Sequence, residues 1–154
     1  RRVCSPKWTG DTEATTQFAD GFPVLVATAA AVDDLNTRLT AAGFGAVGVE
    51  RFRPNIVLAG IEAHDEDRVD MLHITTADGA VQLQPVKPCA RCPIPDIDPA
   101  TAESHPAVGN TLRSYRQDAR VNGAITFGMN AIVREGAGQV LRVGQVVGAN
   151  YQFD

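Results

Sequence analysis

The sequence predicts a mainly β chain with a few helices: an α+β fold forming a closed or nearly closed β-barrel with peripheral helices. Three observations lead there. Roughly seven or eight short apolar or alternating stretches are separated by turns bearing Gly, Pro or Asp, which is how barrel strands are spaced. Only two stretches carry a clear helical period. Five of the nine prolines crowd into residues 84–99, so regular structure is expected to stop there.

The elements follow in order. Residues 1–17 are polar without a clear period and read as a linker or as the edge of a missing N-terminal part; residues 18–154 form the barrel domain. Trp8 packs onto the barrel or ends a strand of that upstream part. Asp20-Gly-Phe-Pro23 is a turn, and Val24–Thr28 a buried strand. Residues 31–42 form a helix, with Val32, Leu35 and Leu39 on one face and Gly43 as its stop. Arg51-Phe-Arg-Pro-Asn55 then leads into a strand over 56–59. Pro54 is expected to hold Arg53 extended. His64-Asp-Glu-Asp67 reads as a solvated acidic turn. Strands over 70–75 and 80–84 flank Ala77-Asp-Gly79, a hairpin signal. His73 lies inside a strand pattern as a structural histidine. Residues 108–116 form a short helix with Leu112 and Tyr115 facing the core. Strands over 124–127 and 129–133 flank Gly128, which marks a bulge or close backbone approach. Strands over 139–143 and 146–149 finish the chain.

Composition bounds the function. The 154 residues make one domain's worth of chain. A net charge of −4 argues against a nucleic-acid surface. The longest mostly apolar run, residues 22–32, falls short of the roughly 20 residues a membrane span needs. No secretory pattern opens the chain, and three cysteines, an odd number, suggest reduced thiols in a cytoplasmic setting. The opening Arg-Arg-Val in place of Met suggests a fragment of something longer. Of the fourteen basic residues only Lys7 and Lys87 are lysines. Arginine is the better fork for planar or phosphate-like anions.

Cys89-Ala-Arg-Cys92 admits several structural readings. A thioredoxin-like pair would open a helix, but Pro93 and Pro95 follow the second cysteine. A zinc site wants four ligands, and only Cys4, His64, His73 and His105 remain, all isolated. Two buried thiols packing a turn is the plainest alternative.

A fourth reading comes from resemblance. Lys87-Pro-Cys-Ala-Arg-Cys-Pro-Ile-Pro-Asp-Ile-Asp-Pro99 is preceded by Arg51-Phe-Arg-Pro-Asn-Ile-Val57 and followed by Leu112-Arg-Ser-Tyr-Arg116 and Phe127-Gly128. In this order and spacing the blocks resemble a MOSC domain, the C-terminal domain of molybdenum-cofactor sulfurases. The branch is that of the mitochondrial amidoxime-reducing component and its bacterial relatives, and the resemblance covers roughly residues 17–147. It implies a barrel fold and a molybdopterin cofactor whose metal is ligated by Cys92. It further implies that Arg53 and Asn55 contact the pterin and phosphate end, that Thr28 and Arg116 assist binding, and that Asp20 lies by the metal and handles protons. Arg91 would stabilise a thiolate at Cys92 and attract the anionic cofactor. Cys89 has no assigned role and is expected buried. Relatives tend to carry serines at both ends of the segment read here as Thr28-Ala-Ala-Ala31, and an upstream β-rich half.

The implied activity is two-electron reduction of small N-hydroxylated substrates, with electrons from a separate ferredoxin- or cytochrome-type protein or domain. Three cysteines cannot supply an iron–sulfur ligand set. A sulfur-carrier or cofactor-delivery module using Cys92 as a persulfide acceptor is the alternative of a different class. The resemblance also leaves pyridoxal phosphate binding open at the level of the family.

Overall fold

A computed structural model describes residues 1–17 and 20–152. In chain order the strands are β1 (Arg2–Val3), β2 (Thr15–Thr16), β3 (Val24–Thr28), β4 (Ile56–Leu58), β5 (Val69–Thr76), β6 (Gly79–Ala90), β7 (Gln117–Asp118), β8 (Ala124–Glu135) and β9 (Val147–Tyr151). The helices are α1 (Pro6–Thr9), α2 (Ala29–Ala41) and α3 (Ala107–Arg113), with four short 3-10 turns between strands.

The main sheet runs β4-β3-β8-β6-β5-β9, with β7 adding to β8. Only β3 and β4 are parallel; the other neighbours pair antiparallel. The parallel pair needs a crossover, and α2 supplies it. The sheet curls until its two ends share one interior. Leu58 of β4 and Val26 of β3 pack in the same apolar cluster as Leu72 and Ile74 of β5 and Val81 and Leu83 of β6. The expected nearly closed barrel with outer helices is therefore the observed architecture. A second cluster lies outside it, where Leu35 and Leu39 of α2 and Val108 and Leu112 of α3 cover Ala27, Phe52 and Phe127. Fully burying each such leucine contributes about 1.5–3 kcal/mol. A third cluster joins Cys4, Ala14, Phe22 and Ile132, with Trp8 and Val86 against it, so the first residues of the chain lie on the barrel wall.

α2 starts two residues earlier than its apolar period suggests, because Thr28 caps it by accepting from the Ala31 N–H at 3.2 Å. Gly43, at φ +83°, ends it as expected. The two short strands expected either side of Gly128 are one long strand. Gly128 adopts φ +76°, and a Cβ there would stand 2.6 Å from the Val26 carbonyl. The irregularity also swaps faces. Phe127 and Ala131 are four residues apart, yet one faces the helices and the other the barrel interior.

Two expectations need correction. Residues 139–143 form no strand, because Val140, Leu141 and Val143 find no partner and stay exposed. The proline-rich segment does carry a central strand: β6 continues through Pro85 and Pro88 to Ala90, paired to β8. Two features allow this. Register shifts interrupt the pairing at both prolines, and β5 pairs with β6 only as far as Leu83, leaving the other edge of this stretch without β5.

Candidate functional site

Beyond Ala90 the chain leaves the sheet as a braced arm. The Arg91 N–H donates to the Ile125 carbonyl at 2.8 Å, docking the arm on β8. Residues 94–96 make a single 3-10 turn, with Pro95 buried. The Arg51 guanidinium reaches across to the Pro95 carbonyl at 3.2 Å and the Asp98 carboxylate at 2.9 Å. From the other side, the Gly109 N–H of α3 donates to Asp96 Oδ1 at 2.8 Å. A Cβ at Gly109 would stand 2.8 Å from that carboxylate, so the glycine admits the close approach.

Arg53 is not extended as Pro54 suggested; it is left-handed, with φ +54°. It closes the 3-10 turn Val49–Arg51, its N–H donating to the Glu50 carbonyl at 3.2 Å, and a turn ends most economically through a left-handed residue. A non-glycine residue there carries strain of about 1–2 kcal/mol. Asn55 follows, and its Oδ1 accepts from the Leu25 N–H at 2.7 Å while its own N–H donates to the Leu25 carbonyl at 2.9 Å. The amide oxygen is thus committed to β3, which leaves Nδ2 as the donor end.

These pieces surround one cavity of about 530 Å³, whose lining includes Asp20, Arg53, Asn55, Lys87, Arg91 and Cys92. Cys92 is exposed. Cys89, expected buried, is half-exposed and lines the same wall, because it sits on β6 just before the arm turns away. Its Sγ accepts from Arg91 Nη1 at 3.2 Å, while Nη2 donates to the Phe52 carbonyl at 3.0 Å. The guanidinium lies 5.5 Å from the centre of the Phe52 ring, and its Nε is buried with no partner among the described residues. Lys87 stands over the rings of Trp8 and Phe22, at 5.6 and 5.8 Å. Three cations thus face one carboxylate, Asp20, in a chain of net charge −4. Such a wall draws anions in and holds them with directed donors.

Five of the seven residues singled out by sequence therefore meet at this cavity: Asp20, Arg53, Asn55, Arg91 and Cys92. Thr28 and Arg116 do not line it. They belong to a second polar region beside α2. There His64-Asp-Glu-Asp67, expected to be solvated, turns inward as a 3-10 turn, with His64 left-handed at φ +64°. Glu66 is 0% exposed, and neither carboxyl oxygen has a hydrogen-bond partner among the described residues. Burial pushes its pKa up to about 7. Burial, aided by the Arg116 charge, pulls His64 down to about 4. Asp67 pairs with Arg116 at 2.7 Å, yet burial outweighs the guanidinium and leaves this carboxyl above its ordinary range. Thr28 Oγ1 also accepts from the His64 N–H at 3.4 Å.

Sequence reading passed over Cys89, Lys87 and Asn130 in the cavity wall, and the Arg51 brace. The alternation of β6, carried on past its prolines, is the signal that could have placed Lys87 and Cys89 on a wall. No local signal marks Asn130.

The chain also resembles known proteins in sequence. A family model described as MOSC domain matches residues 13–148. Mitochondrial amidoxime-reducing component 1 of Homo sapiens is 39% identical over 101 residues, 65% of this chain and 28% of that protein. Mitochondrial amidoxime reducing component 2 of Homo sapiens is 38% identical over 102 residues, 64% of this chain and 28% of that protein. Component 1 of Danio rerio is 36% identical over 132 residues, 84% of this chain and 38% of that protein. The chain thus spans roughly a quarter to two-fifths of the length of these relatives. No described helix is long and apolar enough to cross a membrane.

Proposed function

The chain belongs to the MOSC domain family, and from that premise we propose that it is the molybdenum-cofactor-binding domain of an oxidoreductase acting on small N-hydroxylated compounds. The carrying observation is the inversion of charge at a single cavity: an exposed thiol, Cys92, stands beside Arg53, Lys87 and Arg91 in a chain that is otherwise acidic. The relatives' printed name, amidoxime-reducing component, supplies the substrate class.

The residues present fit the group. A soft thiolate suits a molybdenum–sulfur centre better than a carboxylate does. The cavity of about 530 Å³ has room for a pterin, and Arg53 with the Nδ2 donors of Asn55 offers directed contacts to its polar and phosphate end. The unpartnered Nε of Arg91 is a buried donor awaiting an acceptor. When bound, the cofactor supplies two-electron reduction. The chain's own residues hold and orient. Cys92 would offer the thiolate ligand, Arg91 would add positive charge to the same wall, and Asp20, which lines the same cavity, would relay protons to the reacting group. Reduction of an N–OH group to N–H consumes two electrons and two protons and releases water. The electrons come from a separate ferredoxin- or cytochrome-type partner.

The test is metal analysis and benzamidoxime reduction with the intact protein, with and without Cys92→Ser. Loss of molybdenum and turnover in the variant is the expected result. Retained activity would remove the ligand assignment. The exposure of Cys92 also suits a persulfide acceptor. Sulfur transfer to Cys92 in protein free of molybdenum would favour the carrier function.

A further inference from the structure

Arg116 and Asp67 face one another at 2.7 Å with side chains only 12% and 16% exposed. The same guanidinium grips Thr126, through Nε to its carbonyl at 3.3 Å and through Nη2 to its Oγ1 at 3.2 Å. The main chain repeats the grip, since the Thr126 N–H and hydroxyl both donate to the Arg116 carbonyl, at 2.8 and 3.2 Å. Thr126 is 1% exposed and lies opposite Ala90 in the β6–β8 register. One residue before it, Ile125 accepts the Arg91 N–H. One residue after it, Phe127 stacks on Phe52 with ring centres 3.8 Å apart, and Phe52 in turn receives the Arg91 guanidinium. The backbone of Arg91 is therefore seated on one neighbour of the residue that the ion pair holds, and its side chain on Phe52, against which the other neighbour stacks. Cys92 follows directly.

We propose that the Arg116–Asp67 ion pair is a positioning device for the Arg91–Cys92 corner of the cavity, setting where that guanidinium and that sulfur stand without touching a ligand. A planar guanidinium can serve Asp67 and two atoms of Thr126 at once, in a fixed fork; an ammonium at the same place cannot. A largely buried ion pair adds little net stability over an apolar substitute, so a role in defining one arrangement accounts better for its presence. The functional consequence rests on the cofactor reading of Cys92. The mechanical claim does not.

The test compares the intact chain with Arg116→Lys and Asp67→Asn, using Arg68→Ala as a surface control. Site-resolved hydrogen exchange is measured at the Arg91 amide and at the amides around the Leu83–Val133 pair, far along the same strands. Labelling of Cys92 by a small maleimide is followed by peptide mass spectrometry. In both variants the Arg91 amide is expected to exchange about tenfold faster and the Cys92 labelling rate to change, with the distant amides unaltered. An unchanged Arg91 amide, or an equal rise across the whole sheet, overturns the proposal. Should Asp67→Asn fail to fold, Arg116→Lys decides, since it keeps the charge. Molybdenum loss in Cys92→Ser is read separately. Loss there with unchanged exchange in the ion-pair variants sinks only the positioning role; the reverse pattern sinks only the cofactor assignment.

Discussion

The cavity at Cys92 and the enclosed cluster around Glu66 are both built from ionisable side chains, joined by the Phe52–Phe127 stack, yet they treat charge in opposite ways. Arg91 lies against Phe52 at one end, and His64 meets Phe127 edge-on at 5.6 Å at the other. At the cavity no cation pairs with a carboxylate among the described residues: Arg53 is strained and exposed, while Lys87 and Arg91 are half-buried. In the cluster, acid and base are driven inside, where Asp67 pairs with Arg116, and Glu66 and His64 favour their neutral forms. The first arrangement leaves donors available to an incoming anion. The second directs the Arg116 donors inward, to Asp67 and Thr126, and leaves the side chains of Glu66 and His64 buried without hydrogen-bond partners among the described residues. Fold and function thus draw on the same residue types, and exposure separates the two uses.

The strongest way to break this contrast is Asp67→Ala, which strands the Arg116 charge in a largely buried place. A loss of about 3–5 kcal/mol is expected by chemical denaturation. A loss below about 1 kcal/mol would mean that solvent reaches the cluster and that the contrast is false.

The pH dependence comes next, and the two buried groups pull in opposite directions. Glu66 has a folded pKa of about 7 against an ordinary 4.5, so the stability it contributes is fully present below about 4.5 and is lost as pH rises through about 7. His64 has a folded pKa of about 4 against 6.5, so its contribution is present above 6.5 and lost as pH falls through about 4. In the intact protein the two slopes largely cancel between these limits. Glu66→Gln is expected to unmask a stability that rises with pH over that window, and His64→Gln one that falls, each by an amount on the order of 3 kcal/mol. Parallel profiles for both variants would show that neither group titrates inside.

Arg53→Gly sharpens the other side. Relief of left-handed strain offsets the entropy that glycine costs, so stability is expected to stay within about 1 kcal/mol of the parent. Molybdenum retention by the intact protein should fall, because one of three cations is gone from the wall. A large destabilisation would make Arg53 a structural residue. The smallest effect is expected for Arg68→Ala, which removes the surface pair with Asp65 at a side chain 56% exposed. It should change stability by no more than about 0.5 kcal/mol.

Much of this was legible in the sequence because the signals were local. The Val24–Thr28 strand, the Gly43 stop and the Gly128 irregularity follow from apolar runs and from backbone freedom, which neighbouring residues fix. The gathering of Asp20, Arg53, Asn55, Arg91 and Cys92 came through the family resemblance of the motifs, and the cavity brings all five to one place. What misled was context. Pro85 and Pro88 are tolerated because pairing with β5 stops short of them, and nothing near them in the chain says where that pairing ends. The acid turn His64–Asp67 looks solvated because three carboxylates in succession usually are, until Arg116, 49 residues further along the chain, is found beside it. Arg116 itself, read as a ligand contact, faces inward for the same reason.

By itself the sequence determined the barrel class and the stiff arm that bears Cys92, since periodicity, glycine placement and proline geometry act over a few residues. Only the tertiary structure decided which charges face the cavity and which are enclosed. A side chain's exposure depends on strands and helices far off in the chain, and the cost of burying a charge is settled by the partner that those distant elements deliver.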